Sequence, residues 1–337
     1  MNLKFKKPSK ETQLAMSKVA IGEDNQDYHQ LAEEKLANAT GHHYAKLLGS
    51  GNAAILSVMN SIDGAILIPD QGAWNGFKQM AKFLNKDIIT VKTDHGLIDI
   101  DGLDQSISQS SDEGIIDLDD ENKRSALFLT SFAAYTAEQD IEEIGKLLHK
   151  NNILLVEDAS GAIGDSEGKL ANGKYSDIII GSTGSPKIVN VEDGGFITSN
   201  DNNVFDKSKI LLKTNKASNI TACGINTELD FANDTLNKTI DACSNLKENI
   251  ENKTNFEVFH RDKRGINVIL KTEDSKSLSY KLRQEFVLDS HGMITKCPNY
   301  NRLKEKAVAL EIKNLSIDCL NQDNLDNIIN TLKIFDN

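Results

Sequence analysis

Two segments about thirty residues apart constrain the fold of this chain most strongly. In the first, residues 154–156 form an apolar run that leads to Asp158. In the second, another apolar run is followed by Ser182, by Lys187 in a Gly/Ser-rich turn, and by a Gly-Gly pair at residues 194–195. Short apolar runs that end in polar residues and glycine are typical of buried strands. The sequence therefore predicts an acid at one strand tip and a lysine in the turn after the next strand.

Further apolar runs alternate with segments of helical spacing along the first two thirds of the chain. The predicted strands are residues 65–69, 87–91, 125–130, 153–156, 177–181 and 195–199. The predicted helices are residues 28–45, 74–83 and 141–149, and the polar, acidic segment 106–123 is predicted to be a surface loop. Strands that alternate with helices imply an α/β fold with a mixed, mostly parallel sheet covered on both faces.

At 337 residues the chain is long enough for more than one domain. Residues 235–252 are predicted to form a long amphipathic helix, and the segments after it suggest a strand at 267–270 and helices at 277–286 and 324–334. We therefore expect a polar N-terminal arm at residues 1–25, a large domain at 26–235, and a linker helix with a small α+β domain at 236–337.

An acid at a strand tip together with a lysine in a nearby turn suits pyridoxal 5′-phosphate (PLP). A lysine such as Lys187 carries this cofactor as a Schiff base, and an acid such as Asp158 faces the pyridinium nitrogen and keeps it protonated. The lysine then needs a lowered pKa, which the positive field of the cofactor and partial burial would supply. Taken singly, each residue has an ordinary alternative, a helix cap for the acid and a solvated surface amine for the lysine.

Two further features fit the same cofactor. Ser50, Gly51, Asn52 and Ala53 open a predicted helix, and the unpaired N–H groups at a helix N-terminus bind anions such as phosphate. The alternative is a simple helix cap. Trp74 follows a predicted strand at the ligand-binding edge of the sheet, where it could stack on a pyridine ring or serve only in packing.

In these residues and their spacing, the chain resembles the DegT/StrS-type sugar aminotransferases, which are fold-type I PLP-dependent enzymes. The resemblance runs over nearly the whole chain. Its motifs are Glu157-Asp158-Ala159, Ser182 five residues before Lys187, Glu192-Asp193-Gly194-Gly195, the Ser-Gly-x-Ala turn at 50–53, Cys223-Gly224-Ile225-Asn226, and the C-terminal piece at 315–320.

The resemblance implies a role for each matched residue. Lys187 would form the Schiff base and move protons, and Asp158 would pair with the pyridine nitrogen. The residues implied for the phosphate are Gly51, Asn52 and Ser182, with Ser50 and Ala53 in the same turn. Trp74 would stack on one face of the ring, with Ser160 against the other. Asn226 would reach the phosphate of the neighbouring subunit, which implies an obligate homodimer.

The chain departs from the family pattern at several positions. Gly161 stands where the family usually has a glutamine that contacts the phenolic oxygen of the cofactor, and Asn52 replaces the usual threonine. Pro186 lies directly before the lysine rather than two residues before it, and Glu228 stands where an arginine is expected.

Composition excludes several other classes of protein. A formal charge of -12 argues against nucleic-acid binding, and no apolar run is long enough to cross a membrane. The histidines lack metal-ligand spacing, so no metal site is expected. The basic N-terminus has no apolar segment behind it, and the four cysteines have no CxxC spacing, which together predict a cytoplasmic protein with free thiols.

The sequence therefore predicts an aminotransferase that moves an amino group from glutamate or glutamine to a keto acceptor, such as a nucleotide-linked keto-sugar. A first alternative is a PLP-dependent lyase or a cysteine desulfurase-like enzyme, for which Cys297 would supply the thiol. A second is a non-catalytic protein of the same fold that binds or regulates, an idea that the Gly161 and Asn52 departures motivate. Arg261, Arg264, Arg283 and Arg302 could clamp a substrate carboxylate, although salt bridges are the simpler role for each.

Overall fold

A seven-stranded sheet forms the centre of the protein. The computed structural model describes residues 3–120, 123–289 and 292–336. The strands are β1 (Tyr44–Leu48), β2 (Ile66–Pro69), β3 (Ile88–Val91), β4 (Ala126–Thr130), β5 (Leu154–Asp158), β6 (Ile178–Ser182) and β7 (Gly195–Ser199). Their order across the sheet is β1-β7-β6-β5-β4-β2-β3. The five strands from β6 to β3 are parallel, and β7 is antiparallel to both of its neighbours. This is the mixed, mostly parallel sheet that the sequence predicts.

Helices cover both faces of this sheet. They are α1 (Lys10–Ala20), α2 (Tyr28–Thr40), α3 (Gly51–Ser61), α4 (Gly76–Phe83), α5 (Ile100–Asp112), α6 (Ile141–Lys150), α7 (Asn203–Lys207), α8 (Lys209–Thr214) and α9 (Asn219–Glu228). Neighbouring residues of a strand point to opposite faces. Leu127 and Leu155 accordingly join one apolar layer, while Phe128 and Val156 join the other. Because both faces are buried, the central strands are apolar throughout.

The C-terminal third builds a second, smaller unit. Helix α10 (Ala232–Lys253) leads to an antiparallel sheet of β8 (Val268–Lys271), β10 (Ala307–Leu310) and β9 (Ile294–Lys296), with β10 in the middle. Helices α11 (Ser275–Glu285) and α12 (Gln322–Lys333) complete it, and the unit has its own apolar cluster. The predicted strand and the three predicted helices of this region are confirmed, with ends shifted by one to three residues.

Residues assigned to a polar arm are more structured than predicted. Leu3 and Phe5 are buried and make single β-bridges with Leu288 and Leu315 of the C-terminal unit. Residues 10–20 form α1, which packs along α9. The division of the chain into an arm and two domains stays a prediction.

Two local predictions are wrong. The helix predicted at residues 28–45 ends at Thr40, because Gly41 adopts a left-handed conformation with φ of 71° and the chain then enters β1. The loop predicted at 106–123 is helical up to Asp112. Asp99 caps this helix by accepting a hydrogen bond from the Gly102 N–H at 2.8 Å, and Leu103 and Ile107 are its buried anchors.

Short elements complete the described chain. Two hairpins pair Thr93–Asp94 with Leu97–Ile98 and Phe132–Ala133 with Ala137–Glu138, and 3₁₀ turns lie at Leu229–Phe231, Ile312–Asn314 and Ile317–Cys319. None of the helices in the described ranges combines the length and apolarity needed to cross a lipid bilayer.

Candidate active site

A cavity of about 330 Å³ lies where the carboxyl ends of β5 and β6 meet the N-terminus of α3. This edge of a parallel sheet is the usual place for a ligand in α/β proteins. Eight of the ten predicted site residues line it: Ser50, Gly51, Asn52, Trp74, Asp158, Ser160, Ser182 and Lys187. These residues come from four separate stretches of sequence and meet in one cavity.

Glycines bring the N-terminus of α3 against the sheet. A Cβ atom on Gly51 would lie 2.5 Å from the Ser182 Cβ, and one on Gly195 would lie 2.5 Å from the Gly51 backbone nitrogen. No larger residue fits at either position without moving the backbone. The Gly-Gly pair at 194–195 therefore lets β7 approach the helix start, and Gly194 also requires a left-handed conformation with φ of 87°.

Ser50 is the N-cap of α3. Its hydroxyl accepts a hydrogen bond from the Ala53 N–H at 3.1 Å. Ala53 was predicted to bind the cofactor with the rest of this turn, but its N–H is used in this hydrogen bond and it is not one of the lining residues. The first N–H groups of the helix, at Gly51 and Asn52, have no possible acceptor within the helix, and both residues line the cavity.

Asp158 ends β5 and is held from one side by Ser160. Its Oδ1 accepts hydrogen bonds from the Ser160 N–H at 3.0 Å and from the Ser160 hydroxyl. The same hydroxyl oxygen accepts the Ser182 N–H at 2.8 Å, which ties β6 to the acid. Asp158 is only 8% exposed, so this arrangement fixes its carboxylate in a low-dielectric setting. Ser160 lines the cavity as predicted, but its hydroxyl orients the acid.

Lys187 stands in the turn after β6, and its amine faces the cavity. Its Nζ donates a hydrogen bond to the Tyr135 hydroxyl at 2.9 Å. Burial disfavours the charged amine, but Tyr135 and Asp158 outweigh it and hold the pKa of Lys187 above its ordinary value of 10.5. Burial does act to lower this pKa, as expected, but in the protein alone the two neighbours outweigh it, so the net lowering that was expected is not found.

Tyr135 was not among the predicted site residues. It lies after β4, lines the cavity, and has a left-handed backbone with φ of 62°. Its position in the sequence could have indicated it, because Tyr135 follows a predicted buried strand and so lies at the same edge of the sheet as Asp158 and Lys187.

Trp74 and Asn52 meet at the mouth of the cavity. The Trp74 Nε1 donates to the Asn52 Oδ1 at 3.3 Å, and the tryptophan is 40% exposed. A Cβ on Gly76 would lie 2.2 Å from Nε1, so the ring reaches this position only because residue 76 is glycine. A half-exposed indole beside the cavity can cover a flat ligand.

Asn226 lies elsewhere. It belongs to α9 and is not a lining residue of this cavity; its backbone carbonyl accepts a hydrogen bond from Lys35 at 2.7 Å. Within a single chain the structure therefore does not bring Asn226 to the other site residues.

The thiol proposed for sulfur chemistry is inaccessible. Cys297 is fully buried in a small apolar cluster with Leu303 and Ile269, and burial raises the pKa of its thiol. A sulfur-transfer enzyme needs an exposed thiolate. The lyase or desulfurase alternative therefore has no support at this residue.

The candidate arginine clamps are engaged in ion pairs or backbone contacts. Arg264 pairs with Glu138 and Asp165, Arg261 pairs with Glu251, and Arg283 donates to a backbone carbonyl. Arg302 forms a bidentate pair with Glu311, with both N–O distances at 2.8 Å. As expected, these side chains serve as salt bridges and structural donors. Within the described ranges, no three His, Cys, Asp or Glu side chains are grouped so that they could hold a metal ion.

The residues of the cavity fit PLP. Helix N–H groups at Gly51 and Asn52 suit a phosphate, the buried Asp158 carboxylate suits a protonated ring nitrogen, and the Lys187 amine suits the aldehyde carbon. The small residues at 51, 160 and 182 leave this space open.

Comparison with known proteins gives two family matches. Residues 13–230 match the model of the DegT/DnrJ/EryC1/StrS aminotransferase family, and residues 233–333 match the model of the MJ1341 family C-terminal domain. A comparison with curated protein sequences gives no match.

Solved structures share the overall fold. PseC of Helicobacter pylori, described as an aminotransferase involved in the biosynthesis of pseudoaminic acid, has a TM-score of 0.75 at 14% identity, and the match covers 98% of each chain. A DegT DnrJ EryC1 StrS aminotransferase from Brucella abortus has a TM-score of 0.74 at 13% identity, covering 97% of this chain and 95% of that one. Serine palmitoyltransferase from S. paucimobilis, with a bound PLP-myriocin aldimine, has a TM-score of 0.77 at 12% identity, covering 99% and 86%.

Proposed function

This chain belongs to the DegT/DnrJ/EryC1/StrS aminotransferase family, and from that premise we propose that it moves an amino group from glutamate or glutamine to a keto acceptor. It is a PLP-dependent aminotransferase with the fold of the fold-type I enzymes. The amino donor, the acceptor and the roles of single residues are our proposals. The observation that carries them is the meeting of Asp158, Lys187 and the N-terminus of α3 in one cavity.

When bound, PLP supplies an electron sink for the carbon that carries the amino group. Lys187 would hold the cofactor through its Nζ and would move a proton at that atom. Asp158 keeps a proton on the ring nitrogen, and the two hydrogen bonds from Ser160 hold its carboxylate in place for this. The N–H groups at Gly51 and Asn52 bind the phosphate, and Trp74 covers the ring and limits the access of water.

We propose a nucleotide-linked keto-sugar as the acceptor. Spr1654 from Streptococcus pneumoniae, which shares the fold over nearly its whole length, is described as a putative sugar aminotransferase, and this supports a sugar acceptor here. The half-exposed Trp74 at the cavity mouth leaves room for a substrate that extends outward. We also propose that the enzyme works as a homodimer, since Asn226 lies outside the cavity of its own chain, as a residue that serves a partner would.

The test is the visible absorption of the purified protein with PLP, before and after glutamate, glutamine or cysteine. We expect a visible band that bleaches with glutamate or glutamine, with one equivalent of keto acid released per site, and that is restored by a nucleotide-linked keto-sugar. Cys297→Ala is the matched control and should respond in the same way, because Cys297 is buried away from the cavity. A band that responds to cysteine alone, with release of sulfide, would contradict the proposal. Absence of any band would favour the non-catalytic alternative.

A further inference from the structure

Tyr135 is the direct partner of the reactive amine. Its hydroxyl accepts the Lys187 Nζ hydrogen bond at 2.9 Å, and both residues line the cavity. The role of this tyrosine is not contained in the proposed function, which uses the lysine, the acid and the helix N-terminus.

Gly161 provides the space for the tyrosine ring. A Cβ atom on Gly161 would lie 3.1 Å from the Tyr135 Cε1 and 2.8 Å from the Ile266 Cδ1. Any side chain at position 161 would therefore displace the ring or Ile266. Gly161 stands where the family resemblance predicts glutamine, and the tyrosine ring is packed against that vacant position.

The backbone of Tyr135 is held in an unusual conformation. Its φ is 62° and that of Ala134 is 52°, both in the left-handed region that non-glycine residues rarely adopt. The Tyr135 carbonyl accepts hydrogen bonds from the N–H groups of Ile266 and Asn267, at 2.8 and 2.9 Å. Strain of this kind persists where the surroundings over-determine it, which is common at functional sites.

Two buried basic side chains lie near the Tyr135 ring. The Arg302 guanidinium carbon lies 4.9 Å from the ring centroid, and the Lys313 Nζ lies 5.1 Å from it. Cations at this distance from an aromatic ring attract it electrostatically. The hydroxyl is therefore aimed at Lys187 by packing, backbone and charge together.

We propose that Tyr135 is a positioning residue for the cofactor and that Gly161 and Tyr135 form a matched pair. This inference rests on the proposed function. In PLP the phenolic oxygen is bonded to the ring carbon next to the one that bears the aldehyde, so a hydroxyl that faces the lysine Nζ also faces this oxygen once the two are joined. Tyr135 then donates its proton in a hydrogen bond to the phenolic oxygen and stabilises its negative charge.

The test is a pH titration of the visible band of the PLP-loaded protein, in wild type, Tyr135→Phe and Tyr300→Phe. Without the donor, the charge on the phenolic oxygen is less stabilised, so the proton on the adjacent nitrogen is retained to higher pH. We expect the midpoint of Tyr135→Phe to rise by about 1 to 2 pH units, since a hydrogen bond to a charged group contributes about 1.5–3 kcal/mol and one pH unit is about 1.4 kcal/mol. Tyr300→Phe is the matched control, because its hydroxyl donates only to the Pro69 carbonyl at 2.8 Å; its midpoint should not move.

Gly161→Ala provides an independent test, because it keeps the tyrosine hydroxyl but crowds the ring. The pH midpoint of its visible band should also rise, and this variant replaces Tyr135→Phe in the test if Tyr135→Phe does not retain cofactor. An unchanged midpoint in the substituted proteins, with an intact band, would overturn the role of Tyr135 and leave the aminotransferase proposal standing. Failure of the wild type to form any band would instead overturn the proposed function.

Discussion

The buried ion pair behind Tyr135 allows a quantitative prediction. Glu311 is only 3% exposed at its side chain, and it accepts two hydrogen bonds from Arg302 at 2.8 Å and one from the Asn267 amide at 2.7 Å. The Lys313 Nζ lies 3.6 Å away. Substituting glutamine for Glu311 keeps the shape but removes the charge, and it leaves the buried Arg302 guanidinium without its counter-ion.

Breaking a buried pair by removing one partner costs about 3–5 kcal/mol, whereas an exposed pair is worth about 0–1 kcal/mol. We therefore expect Glu311→Gln to lower the free energy of unfolding by about 3 kcal/mol at pH 7. The matched control is Glu257→Gln, which removes the same charge from a pair with Lys271 at 2.7 Å, where the side chain of Glu257 is 71% exposed. The assay is equilibrium denaturation of the cofactor-free proteins, so that PLP binding does not contribute.

The pH dependence of the stability loss in Glu311→Gln distinguishes the effect of lost charge from that of altered packing. Although burial favours the neutral acid, Arg302 and Lys313 outweigh it and hold the pKa of Glu311 far below its ordinary value of 4.5. Because the folded-state pKa is depressed, this stabilisation is present above pH 4.5 and is lost as the pH falls below it. The difference between wild type and Glu311→Gln should therefore shrink below pH 4.5. Equal losses in the two variants, or a difference that does not depend on pH, would refute the reasoning.

Three other predictions concern the cavity. Ser160→Ala removes one hydrogen-bond donor to Asp158 and the acceptor of the Ser182 N–H. A hydrogen bond to a charged group contributes about 1.5–3 kcal/mol, so the PLP affinity measured by equilibrium titration should fall about tenfold. An unchanged affinity would show that Asp158 does not need this hydrogen bond. The neutral amine of Lys187 is the form that reacts with PLP, and its fraction rises about tenfold per pH unit below its pKa, which lies above 10.5. The rate at which cofactor-free protein captures PLP should therefore rise about tenfold per pH unit between pH 7 and 9. A rate that levels off below pH 8 would mean that the pKa is lowered instead. Gly51→Ala places a Cβ 2.5 Å from that of Ser182, so it should cost about 1–3 kcal/mol of stability and reduce PLP binding in the same titration; a variant with wild-type binding would contradict the close approach of α3 to β6.

Much of the fold could be predicted because the sheet is buried on both faces. Residues 126–130 and 178–182 read as apolar runs for that reason, and the predicted strands agree with the observed ones to within one or two residues. Asp158 and Lys187 were recognisable because each follows such a run. The helix at Ile100–Asp112 was missed because its exposed positions are polar and only Leu103, Ile107 and Ser110 are buried.

Tyr135 could not be assigned from sequence in the same way. Its direction depends on a left-handed backbone, on the absent side chain at Gly161, and on Arg302, which lies more than 160 residues away in the chain. None of these produces a local pattern. The burial of Cys297 could not be predicted for a similar reason, since Ala134 and Ile269 join its apolar cluster from distant parts of the chain.

The most direct test of the central claim is to find which lysine binds PLP. Reduction of the loaded protein with borohydride fixes the carbon–nitrogen bond, and mass spectrometry of the peptides then locates the label. Lys313 is a real competitor, because burial lowers its pKa to about 7, and Lys6 and Lys247 are buried lysines with pKa values lowered to about 8. Our account predicts the label on Lys187 alone, with no label in Lys187→Ala. A label on Lys313, or one retained in Lys187→Ala, would contradict it.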